Sequence, residues 1–91
     1  MKVLSTHSIR PGCVKEAVGR FLAGKANPPA GVKILGRWHR TDSGGGFTLM
    51  ESDSPTAMFE FSAMWSDVLE LHSSIVLDDA EAGPILAKVF K

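Results

Sequence analysis

Six consecutive residues, Thr41-Asp42-Ser43-Gly44-Gly45-Gly46, constrain the fold more than any others in the chain. They favour turns on both composition and geometry, because glycine reaches positive φ angles closed to other residues. The segments on either side, Val32 to His39 and Phe47 to Glu51, carry the β-branched, aromatic and aliphatic residues of strands. A hairpin is therefore expected at the middle of the chain. Its first strand alternates Val32/Ile34/Gly36/Trp38 with Lys33/Leu35/Arg37/His39. Neither set is purely apolar, so both faces of this strand have something to bury or to bind.

The flanking sequence repeats one pattern twice. Val3 to Ile9 reads as a strand stopped by Pro11-Gly12. A helix is expected from about Cys13 to Gly24, with Val14, Ala17, Val18, Phe21 and Leu22 on one stripe. Lys15, Glu16 and Arg20 lie off that stripe and should face water, and Gly24 suits a left-handed helix cap. Asn27-Pro28-Pro29-Ala30-Gly31 is a loop, since its prolines remove backbone donors and fix φ.

After the hairpin, Ser54 caps a helix opened by Pro55 and running to about Trp65. Ala57, Phe61, Met64 and Trp65 share its stripe, with Met58 beside it. Leu69 to Leu77 is the fourth strand, with Leu71, Ile75 and Leu77 on one face and His72, Ser74 and Val76 on the other. Asp78 and Asp79 look like caps for a last helix reaching Phe90. Gly83-Pro84 interrupts it, so a short turn is expected first and the helix proper from Pro84.

The order strand, helix, strand, strand, helix, strand predicts an α+β, ferredoxin-like β-α-β-β-α-β antiparallel sheet with a C-terminal helix, in one domain over residues 1–91. Two helices cover only one face of such a sheet. Large apolar residues on both strand faces, in a chain with a thin core, imply a homodimer whose open faces pack together.

Charge and composition narrow the function classes. Ten basic and ten acidic residues balance, leaving no overall field to gather nucleic acid or anionic lipid. No apolar run has the length of a signal peptide or membrane span, so a cytoplasmic location is expected, with neither nucleic acid nor membrane as partner. The single Cys13 excludes an internal disulfide and a multi-cysteine zinc site. Near a helix start it is either a reactive thiolate or, more simply, a small filler. The glycine run lacks the strand–loop–helix context and the lysine of a phosphate loop.

Several motifs together carry a resemblance. These are Phe21, Pro28-Pro29-x-Gly31-Val32, Leu35-Gly36-Arg37-Trp38-His39, Gly45-Gly46-Phe47, Glu51 and Trp65-x-Asp67-Val68-Leu69. The chain resembles the small bacterial domain-of-unknown-function family 3303, and that family resembles the dimeric α+β barrel superfamily. The resemblance implies a ferredoxin-like protomer and a two-fold dimer enclosing a barrel-like cavity. Superfamily members include cofactor-independent monooxygenases, isomerases, dehydratases and haem-binding proteins, but kinship of fold is only an analogy for activity.

The candidate site residues are chosen on side-chain chemistry. A histidine can act as acid or base near neutrality, and His39 stands near Arg37 at the end of its strand. If the hairpin pairs symmetrically about its glycines, Arg37, His39, Leu49 and Glu51 share one face; the opposite parity separates them. Glu51 is then either a buried general base or an ion-pair partner of Arg37 or Lys33. Trp38 and Trp65 are flat surfaces for a ligand ring or for core packing.

His7 and His72, joined by Glu51, have the donor types of a metal or haem site. No metal-ligand spacing supports one, so neither metal nor cofactor is expected. The expected function is binding of a small apolar or aromatic molecule in a sheet-face cavity, with His39 as acid/base and Arg37 stabilising negative charge in any cofactor-free chemistry. The competing expectation is a non-catalytic module whose sheet face is consumed by dimerisation and which has no pocket.

Overall fold

The computed structural model describes residues 1–91 as β1 (Lys2–Ile9), α1 (Val14–Leu22), β2 (Lys33–His39), β3 (Gly45–Glu51), α2 (Pro55–Trp65), β4 (Leu69–Val76) and α3 (Asp79–Val89). The four strands form one sheet in the order β2-β3-β1-β4, and every pairing is antiparallel. Each β-α-β half crosses over so that β1 and β3 lie at the centre, which is the ferredoxin-like arrangement.

Helices α1 and α2 cover one face of this sheet. Val3, Val32 and Met50 pack there against Ala57, and Ala17, Trp65 and Val68 form a second cluster. Phe61 touches both. Only 12 of 91 residues are buried, so the protomer's own core is thin.

Helix boundaries obey their end signals. Ser54 accepts a hydrogen bond from the Ala57 amide at 3.2 Å, and Pro55 opens α2. At the end of α1, Gly24 adopts φ +77°, and the amides of Gly24 and Lys25 return to the carbonyls of Phe21 and Arg20. That is the Schellman closure, in which glycine takes the left-handed position at no steric cost. Arg20 does not face water as its place off the stripe suggested. It pairs with Glu16 and Asp67, and its guanidinium lies 5.8 Å from the centre of the Trp65 ring. This ties α1 to the α2–β4 connection. Met64 departs from its expected place on the α2 stripe and is exposed.

Two other expectations are corrected. The hairpin glycines are not there for positive φ: in the turn only Ser43 is left-handed, at φ 62°. Gly45 and Gly46 are required by close strand approach, because a Cβ on either would lie 2.0 Å from a carbonyl oxygen of the neighbouring strand, that of His7 or of Trp38. The last helix does not wait for Pro84. A capping box between Asp78 and Glu81 starts it at Asp79, and the helix runs through the proline.

The hairpin parity, open on the sequence alone, is set by the register of β2 on β3. Ile34 pairs with Met50, but Gly36 pairs with Leu49, so Leu35 is an extra residue in β2. This β-bulge reverses the alternation of faces along the strand. Ile34 faces the helices, and so, beyond the bulge, do Arg37 and His39, paired with Thr48 and Gly46. Trp38 pairs with Phe47 on the opposite face. Leu49 and Glu51 also lie there, so His39 and Glu51 do not share a face.

Candidate functional site

Between the sheet and helices α1 and α2 lies an open cavity of about 470 Å³, within the range of small-molecule sites. Its floor is the helix-facing side of the sheet, including Ser5, His7, Thr48 and Met50. Ala17, Val18 and Phe21 from α1 and Phe61 and Trp65 from α2 form apolar walls. Arg37 and His39 enter from β2, and Arg40, Thr41 and Ser43 bring the hairpin turn to the rim. The period-two spacing that places Val3, Ser5, His7 and Ile9 on one strand face explains how β1 reaches the cavity.

The polar groups gather at one end. The Arg37 guanidinium donates to the Ala26 carbonyl at 2.9 Å and stands 5.7 Å from the centre of the Phe21 ring. His39 meets the same ring edge-on, with centroids 5.2 Å apart. Phe21 thus fixes the positions of both. His7 is half-buried, and burial lowers its pKa, helped by the charges of His39 and Arg37. Burial also lowers the pKa of Arg37, which nevertheless stays charged at any physiological pH.

The sequence-derived candidates divide between the two faces. His39, Arg37, His7 and Trp65 line the cavity. Trp38 lies on the open face, stacked on Phe47 at 5.5 Å between centroids, and its indole covers Gly36, where an added Cβ would lie 2.4 Å from the ring. Glu51 and His72 also lie on the open face, opposite Lys2 and Thr6. His72 is exposed and sits 3.4 Å from Glu70. The grouping of His7, His72 and Glu51 therefore does not form, and no three His, Cys, Asp or Glu side chains converge on a common point.

Sequence reasoning missed the floor residues Ser5 and Thr48. Both are buried polar residues on the helix-facing side of the sheet. Ser5 was findable as a polar residue at a core position, between Val3 and His7 in the alternation of β1. Thr48 had no such signal until the register of the hairpin was known.

The family model described as Domain of unknown function (DUF3303) matches residues 1–90. The chain belongs to this family. No curated protein sequence matches the DUF3303 chain. Among solved structures it is similar to 5-chloro-2-hydroxyhydroquinone dehydrochlorinase (TftG) from Burkholderia phenoliruptrix AC1100, in complex with 2,5-dihydroxybenzoquinone. That match has 18% identity and a TM-score of 0.57, over 85% of this chain and 94% of the other. It is also similar to Rv0793 from Mycobacterium tuberculosis, at 11% identity and a TM-score of 0.51, over 88% and 98% of the two chains. These likenesses are of fold alone, the ferredoxin-like α+β arrangement described above. No helix is long and apolar enough to cross a membrane.

Proposed function

We propose that this chain is a homodimeric binding protein that takes a small apolar or aromatic molecule between its sheet and helices α1 and α2. The observation that carries this reading is the cavity itself: about 470 Å³, walled by Phe21, Phe61 and Trp65, with Arg37, His7 and His39 at one end. A few convergent polar groups in an otherwise apolar recess are the usual composition of a ligand site. The quinone bound by the dehydrochlorinase is a single-ring compound of a size such a recess admits, an analogy of fold only. If the site is catalytic, His39 is the acid/base and Arg37 the group that stabilises developing negative charge. Glu51, on the other face, is not in position to serve as their base.

Dimerisation would use the face that the cavity leaves free. Leu4, Phe47, Leu49 and Trp38 share that open face, and Ile85, Leu86, Val89 and Phe90 of the α3 region are exposed. A dimerisation face and a ligand cavity are thus compatible in one protomer rather than competing uses of a single surface.

Fluorescence tests the binding reading. Trp38→Phe leaves Trp65, in the cavity wall, as the sole tryptophan. Saturable quenching by members of a panel of one- and two-ring aromatics is expected, with loss of the effect in a Trp38→Phe/Val18→Phe protein whose cavity is narrowed. A panel giving only linear, collisional quenching would overturn the assignment.

A further inference from the structure

The charges around the cavity do not balance. Four of its lining side chains are cationic or can become so, His7, Arg37, His39 and Arg40, and none is a carboxylate. Arg40 has its own partner in Asp42 at the hairpin turn. Arg37 has none: it is half-buried, and its one hydrogen bond within the protein goes to the neutral Ala26 carbonyl. No element packed around the cavity offers a counter-charge. β4 contributes Leu69 and Leu71, α1 contributes Ala17, Val18, Phe21 and Leu22, and α2 contributes Phe61, Ser62 and Trp65. The acidic residues nearest α1, Glu16 and Asp67, pair with Arg20 on the outer side.

A guanidinium drawn partly out of water, with most of its donors unused, costs free energy unless an anion completes it. From this uncompensated end of an aromatic-walled cavity we infer that the ligand is an aromatic carboxylate, its carboxylate on Arg37 and His7 and its ring among Phe21, Phe61 and Trp65. This rests on the reading of the cavity as a ligand site and adds the charge and orientation of what enters. The planar fork of Arg37 matches a carboxylate with two parallel hydrogen bonds. The hydroxyls of Ser5 and Thr48 on the floor add donors that do not depend on pH. His7 has its protonation resisted by burial and by its cationic neighbours, and an anion beside it reverses that balance.

The discriminating pair of probes is 2-naphthoate and 2-naphthamide, nearly the same shape and differing in charge, titrated calorimetrically against the unmodified protein from pH 6 to 8. Naphthoate is expected to bind about tenfold or more tightly at pH 6, the scale of one charge-assisted hydrogen-bond pair. Its advantage should shrink towards pH 8 as His7 beside the carboxylate loses its proton, while the amide's affinity stays flat. Arg37→Met should remove most of naphthoate's advantage over the amide without weakening the amide. His7→Asn, which leaves Arg37 in place, should flatten the pH dependence and keep part of the preference, so the test survives if the Arg37 variant fails to fold. Equal or tighter binding of the amide would overturn the anion assignment and leave the cavity as a binding site. Failure of both probes to bind at millimolar concentration would overturn both.

Discussion

His7 makes the ligand-free protein sensitive to acid. Its pKa is lowered in the fold by burial first and by the charges of His39 and Arg37 second. A histidine lowered in this way takes up its proton more readily when unfolded, so the unfolded state binds more protons just below the ordinary histidine pKa of about 6.5. Stability should therefore fall as pH drops through that value towards the lower pKa of the folded state, and be indifferent to His7 at higher pH. Urea denaturation midpoints between pH 5.5 and 7.5 should show this slope in the unmodified protein and a smaller one in His7→Gln. An unchanged slope in the variant would remove His7 as its source. The neighbouring residues show what single-residue reading could reach. Arg37 and His39 stood out by chemistry, but which way they point depends on Leu35, one extra residue marked locally only by the glycine that follows it. Had β2 kept its alternation from Ile34 onward, Trp38 would have faced the cavity, and Arg37 and His39 would have faced outward with Glu51. Bulges re-aim side chains next to functional sites, and this one brings the cationic group into the cavity.

At the scale of elements, legibility tracked the end signals. Helix α2 begins and ends where Ser54-Pro55 and Trp65 said it would, because a capping serine and an N-terminal proline act through local backbone chemistry alone. Helix α3 was misjudged because two local signals conflict. The Asp78–Glu81 capping box starts the helix at once, whereas Pro84 opposes its continuation by removing the hydrogen bond to the Ala80 carbonyl. The cap prevails, but the proline still weakens the turn on its N-terminal side, where the Ala80 carbonyl loses its partner. Pro84→Ala should stabilise α3 by an amount approaching the roughly 3 kcal/mol that an interior proline costs a helix. Amide exchange over residues 85–89 should slow in the variant; unchanged or faster exchange would mean that α3 is held by contacts outside its own backbone. The outward role of Arg20 was misjudged for a different reason. Its partners Asp67 and Trp65 are more than forty residues away in sequence, so the helical stripe alone could not disclose them.

The sheet presents two unlike faces. The helix-covered side holds the cavity, while the open side presents Leu4, Phe47, Leu49 and Trp38 as a continuous sheet surface. Helix α3 has no buried residue, and Phe90 just beyond it is 80% exposed. Apolar and aromatic side chains gathered in this way are the composition of an interface core. In the unmodified protein, sedimentation equilibrium at micromolar concentration should therefore give twice the protomer mass of 9.8 kDa. Phe47→Glu places a charge at the centre of the open face without touching the cavity, and it should return the mass to that of one protomer. A dimer that persists in Phe47→Glu would place the contact elsewhere, with exposed α3 the next surface to alter. The same variant separates the two faces functionally. Trp65 and Arg37 lie on the far side of the sheet from Phe47, so a monomeric Phe47→Glu protein that still folds should bind 2-naphthoate as the dimer does. Loss of that binding together with the dimer would mean that the partner copy completes the cavity.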